Sequence, residues 1–173
     1  MTVSRLLARP LLAASFVAGP LHAIKHMDST SAKAKKVTER LLPLAEKAGR
    51  RAGVPVPTEP ATWVKINAAA QILGAVGLAT GKAPRASSAL LALTLLPTTI
   101  AGHPFWEETD PAAKSAQRTQ FFKNVSLLGG LLIAAGDTNG RPGVAWRARH
   151  AAKDARRTAR QEARVIKAKA HLH

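Results

Sequence analysis

His103, Glu107 and Glu108 sit within the short stretch GHPFWEE, and Arg118, Lys123 and Asn124 follow soon after it. Two amides, Asn67 and Gln71, precede them by about nine helical turns. A histidine gains or loses a proton near neutral pH, and a lysine stabilises developing negative charge. Brought to one place, His103 would donate or relay a proton and Lys123 would hold charge on a quinone headgroup or a small anion. The same groups also read as a set of ion pairs with a lysine whose head snorkels toward water. No nucleotide loop, metal-binding spacing or nucleophile triad occurs, so a metal and a catalytic residue are not assigned. The six histidines, His22, His26, His103, His150, His171 and His173, are scattered. Haem ligation by His22 and His103 therefore lacks local support.

The elements that must position these groups are apolar. Four stretches stand out: residues 6–24, 66–80, 86–102 and 124–136. With their flanks they predict spans at about 6–24, 63–80, 86–103 and 121–137, close to the roughly 20 residues that cross a bilayer. A soluble helix shows a polar stripe, whereas residues 86–102 offer only Ser and Thr, whose hydroxyls bond back to their own helix. The fold class expected is therefore all-α, an integral membrane four-helix bundle. Ser126, Gly130 and Ala134, Ala70 with Gly74, and Gly77 with Gly81 recur every four residues, a spacing that lets helix backbones approach. Pro10, Pro20 and Pro97 would bend their helices. The first stretch resembles a secretory signal less than a span, because Arg9 and Pro10 interrupt it.

Charge sets the expected topology. The 173 residues carry a net charge of +16 and no cysteine, which excludes disulfides and thiolate chemistry and points to anionic partners. Arg5, Arg9, Lys82, Arg85 and the ten Lys/Arg of residues 141–173 fall on one side if both termini are cytoplasmic. Loop 25–62 breaks that pattern with eight Lys/Arg against four acids. Within it Val37, Leu41, Leu42, Leu44 and Ala48 form the partial apolar face of a surface helix. Residues 1–140 thus read as a four-span membrane domain and 141–173 as a basic cytoplasmic tail, helical by propensity. Attraction to anionic lipid headgroups is sufficient reason for the tail. Nucleic acid is disfavoured, since stacking aromatics are lacking. A soluble basic helical nucleic-acid binder stands as the contrasting alternative.

The scarce aromatics lie at predicted boundaries. Trp63, Phe105, Trp106 and Trp146 read as anchors at the membrane interface, and Pro104 ends a helix after His103. His103, Glu107, Glu108, Arg118, Lys123 and Asn124 would then share the outer mouth, with Asn67 starting its span on the same side. Asn67, Gln71, Gly74 and Leu78 line one helix face, where the two amides would bond between helices. In DTNGRPG, residues 137–143, Asp137 and Gly140 read as a cap and turn.

INAAAQILGAVGLATGKAPR, and then LLPTTIAGHPFWEETDPAAKSAQRTQFFKNVSLLGGLLIAAGDTNGRPG, resemble the DoxX family of small bacterial membrane proteins, the actinobacterial members especially. The likeness extends over nearly all of residues 5–146. It implies a four-helix bundle in the cytoplasmic membrane. Relatives serve as a subunit of a quinone-reducing thiosulfate oxidoreductase, and mycobacterial members are implicated in a complex with a superoxide dismutase and a sulfurtransferase. The resemblance therefore implies a non-catalytic membrane subunit or anchor of a redox or oxidative-stress complex, with an oxidoreductase partner. The alternative is a quinone-linked component with its site at the outer mouth. No cofactor is evident in the residues themselves; quinone is the one the alternative implies. A homo-oligomer is compatible with either.

Overall fold

The computed structural model describes residues 3–138, 140 and 143–170. Six α-helices and no strand occur among them: α1 Val3–Lys25, α2 Met27–Ala52, α3 Pro60–Ala79, α4 Pro84–Gly102, α5 Pro111–Gly136 and α6 Val144–Ala170. The chain divides into two units, Met1–Asp137 and Thr138–His173. Asn139, Arg141 and Pro142 of the expected turn, and His171 and His173, lie outside the described residues.

Proline sets three of the helix starts. Pro60, Pro84 and Pro111 occupy first-turn positions, where the missing N–H costs nothing and φ is already helical. Asp110 reinforces the third, its carboxylate accepting from the Ala113 N–H at 2.7 Å. This cap corrects the expected boundary. α5 begins at Pro111, ten residues before the predicted span, so the polar connection after α4 is only residues 103–110. The α3–α4 turn is tight, and Gly81 supplies its left-handed residue at φ 68°. Gly140 adopts the same conformation at φ 75°. α1, α2 and α4 run on as helices through Pro10 and Pro20, Pro43, and Pro97 respectively.

Within the first unit, α1 packs on α3, α3 on α4, and α4 on α5, while α2 lies against α3 and α4. One core joins four of the helices: Ala13 and Phe16 from α1, Ala75 and Leu78 from α3, Leu91, Ala92 and Leu95 from α4, and Leu131 from α5. Each helix contributes a stripe at three- and four-residue steps. On α5 it is Gln117, Phe121, Asn124, Leu128 and Leu131; on α1 it is Arg5, Arg9, Ala13, Phe16 and Pro20. α2 packs through Val37, Thr38, Leu42, Ala45 and Gly49, whereas Leu41, Leu44 and Ala48 of its expected apolar face are exposed.

The stripes are narrow, and large apolar side chains cover the opposite faces. Leu11 is 73% exposed, Leu73 70%, Leu93 67% and Ile133 78%. The interior by contrast takes Ala68, Gln71, Ser87, Ser88, Thr99 and Asn124. α4's hydroxyls bond back to its own carbonyls, Thr94 to Leu91, Thr98 to Thr94 and Thr99 to Leu95, at 2.7–3.0 Å.

α3 and α4 meet through glycine. A Cβ on Gly74 would lie 2.9 Å from Leu91 Cγ, and one on Gly77 would overlap the Ser87 hydroxyl. A Cβ on Gly130 would meet Leu12 of α1 at ordinary contact distance, while Ser126 is exposed and donates to the Phe122 carbonyl. Gly77→Val should therefore force α3 from α4 and cost about 1–3 kcal/mol. Thermal unfolding in mild detergent checks this, with Gly19→Ala, whose Cβ meets no atom within 4 Å, as the control that loses no stability.

Candidate functional site

α4 ends at Gly102 with His103 as its cap residue, and Pro104 follows, as the residue types require. The His103 ring is half-buried and its Nδ1 lies 2.7 Å from Gln117 Oε1 on α5. With Nδ1 protonated, the imidazole donates to the amide oxygen and Nε2 is left as the proton-accepting nitrogen. Gln117 had no signal in the sequence beyond lying on α5's packed stripe.

Beside this bond the rings gather. Phe105 meets Trp106 at 5.2 Å and Phe121 at 5.3 Å between centroids, both edge-to-face, and Phe121 meets Phe122 at 5.6 Å. Edge-to-face pairs add attraction beyond area burial, so these rings fasten the α4–α5 connection onto the first turns of α5. Trp106 and Phe122 remain half exposed. Trp63 donates its Nε1–H to the Pro57 carbonyl at 2.7 Å, which secures the chain entering α3. In the second unit Trp146 stacks on His150, centroids 3.5 Å apart.

The other candidates separate. Glu107 pairs with Lys36 of α2 at 2.8 Å, both exposed. Glu108, Arg118 and Lys123 form no ion pair among the described residues. The expected pairing of Glu107 and Glu108 with Arg118 and Lys123 is thus not made. The reason is the early start of α5, which already holds Arg118 and Lys123 on its exposed side while Gln117 and Asn124 occupy the packed stripe. Asn67 and Gln71 both donate to Thr98 Oγ1, at 3.0 and 3.1 Å, and Gln71 also reaches the Thr94 carbonyl at 3.4 Å. These amides join α3 to α4. No three His, Asp or Glu groups lie close enough to hold a metal ion among the described residues.

A second polar cluster lies at the other end of the first unit. Arg5 grips Asp137 side-on, Nε to Oδ2 at 2.8 Å and Nη2 to Oδ1 at 3.0 Å, and Arg9 adds Nη2 to Oδ2 at 3.4 Å. The Arg9 side chain is only 8% exposed. Arg85 Nε, at the start of α4, donates to the Ala135 carbonyl at 3.0 Å. The first helix is thereby tied to the end of α5, a role that reading Asp137 as a helix cap did not foresee. The i, i+4 spacing of Arg5 and Arg9, in line with Ala13 and Phe16, was the available signal.

Three outcomes follow from these geometries. Asp137→Asn should cost about 2 kcal/mol, because it strips the counter-charge from a buried guanidinium. Glu107→Gln should stay within about 0.5 kcal/mol, its pair being exposed. Equilibrium unfolding of both variants distinguishes them. Thr98→Val should cost about 0.5–1.5 kcal/mol by removing the acceptor that Asn67 and Gln71 share, with Thr98→Ser restoring the loss.

The family model for DoxX matches residues 4–104, more than half of the chain. The match ends at Pro104, so it takes in α1 to α4 and leaves α5 and α6 beyond it. No curated protein and no solved structure matches this chain. The matched segment contains the four helices that carry Arg5, Arg9, Asn67, Gln71 and His103, and the chain belongs to the DoxX family, a family of membrane proteins.

Proposed function

We propose that α1, α3, α4 and α5 form a four-helix bundle spanning the bacterial cytoplasmic membrane. We propose further that it serves as a non-catalytic membrane subunit of a redox or oxidative-stress complex. The observation that carries the membrane reading is the inverted distribution of side chains. Eighteen large apolar residues on these four helices are exposed, against small and polar residues in the interior. In water each would forgo part of the about 1.5–3 kcal/mol that full burial contributes; against lipid acyl chains the same faces are already in an apolar solvent. By length and composition α1 alone passes as a span among the described residues. Asn67 and the buried Gln71, Ser87, Ser88 and Thr99 lower the apolar character of α3 and α4, and α5 begins with a polar half.

Orientation follows from the two ends. The Arg5–Asp137 and Arg85–Ala135 contacts place Arg5, Arg9 and Arg85 at one end, with Lys82 in the adjoining α3–α4 turn. That concentration of basic residues favours the cytoplasmic side. Glu107, Glu108 and the aromatic cluster then face outward, with α2 reaching Glu107 through Lys36. The subunit role is supported by the family resemblance and by the use of Asn67, Gln71 and Thr98 in helix joining. Tagged protein should remain in membranes after an alkaline carbonate wash and, in mild detergent, retain an oxidoreductase in fixed ratio. Release by carbonate refutes the bundle; retention without any partner refutes the subunit role.

A quinone site at the outer mouth is the second reading, favoured by the His103–Gln117 bond beside four aromatic rings. His103 Nε2 would hydrogen-bond a headgroup oxygen. Quinone extracted with purified protein, and lost in His103→Ala with the fold intact, favours this reading. Equal retention by the variant removes it.

A further inference from the structure

α6 has two unlike faces. At 100° per residue, Arg149, Lys153, Arg156, Arg157 and Arg160 project from one side, and Trp146 stands at the head of the same side. Ala148, Ala151, Ala152, Ala155 and Ala159 form the other. Every described side chain from Trp146 to Glu162 is exposed. Of the acids on α6, Asp154 and Glu162 both fall off the basic side, so that side presents uninterrupted positive charge. The alanines offer too little apolar area to insert, so the face suited to a partner is the charged one, and its complement is a surface of fixed negative charge.

Chain connectivity selects which surface. Only residues 137–143 join the end of α5 to α6, a tether of at most about 25 Å of chain. In the bundle reading, on which this inference rests, that end lies at the cytoplasmic headgroups. Basic residues near that leaflet are each attracted by its anionic lipids, and a tether this short holds them there. Trp146 suits the same location, its ring at headgroup level and its stack on His150 forming the helix's entry. We infer that α6 is a docking helix for anionic phospholipid, held by the Arg149–Lys153–Arg156–Arg157–Arg160 face on the cytoplasmic leaflet of the membrane that holds the bundle.

The test uses the full chain in nanodiscs of phosphatidylcholine alone, or of phosphatidylcholine with phosphatidylglycerol, and follows tryptic cleavage after Lys153 and Arg157. Phosphatidylglycerol should slow cleavage by about tenfold at low salt, and 1 M salt, which shortens the screening length to about 3 Å, should restore it. An Arg149→Glu/Arg156→Glu/Arg160→Glu variant should lose the protection, while Ala151→Ser/Ala155→Ser on the opposite face should keep it. Equal rates in the two lipids overturn the inference, as does protection of the charge-reversed variant. So does protection by single-stranded RNA with no effect of phosphatidylglycerol, which would assign the face to nucleic acid. A chain that fails to enter either nanodisc overturns the bundle itself, a result separate from loss of lipid dependence in a chain that does enter.

Discussion

The close approach of α3 to α4 is the constraint on which the first unit depends. Gly74 beside Leu91 and Gly77 beside Ser87 leave no room for a Cβ, so the two helices are packed closely along this seam. That proximity brings Thr98 within reach of both Asn67 and Gln71, two bonds that longer side chains at the glycines would break. α1 and α2 then pack on the outer faces of this pair, and α5 on the remaining side of α4. Leu78 and Leu91, both fully buried, mark the centre of the assembly.

At its two ends the unit is held by different physics. At the end bearing Arg5, Arg9 and Arg85, charge-assisted bonds join α1 and α4 to α5, with one guanidinium almost wholly removed from solvent. At the other, aromatic rings and a histidine–amide bond fasten the α4–α5 connection. The contrast explains why Glu107 and Asp137 differ in weight although each sits in an ion pair. Lys36 and Glu107 are largely solvated, and solvent screens their attraction. Asp137 faces a buried charge that has little water to fall back on.

Much of the architecture was legible along the chain. Four apolar stretches, the helix stop at Pro104 and the self-bonding hydroxyls of Thr94, Thr98 and Thr99 follow from local rules, because helix periodicity and hydroxyl back-bonding involve residues within a turn. The joining of α3 to α4 through Asn67 and Gln71 was legible too, since four-residue spacing puts them on one face. The candidate site was less so. A shared mouth for His103, Glu107, Arg118 and Lys123 assumed that α5 begins near residue 121; the Asp110 cap and Pro111 start it earlier and turn the two cations away from the packed stripe.

By itself the sequence determined an all-helical DoxX chain, its helix-forming segments, the glycines that allow close contact and the basic character of its last helix. Those properties depend on composition and on neighbours a few residues apart. Only the tertiary structure decided that Asp137 answers Arg5 and Arg9, that Glu107 reaches Lys36, and that His103 meets Gln117. Arg5 and Asp137 stand 132 positions apart, and Lys36 and Glu107 stand 71 apart. Partners so distant are chosen by how the packed stripes of separate helices align, and side-chain spacing within one helix carries no record of that alignment.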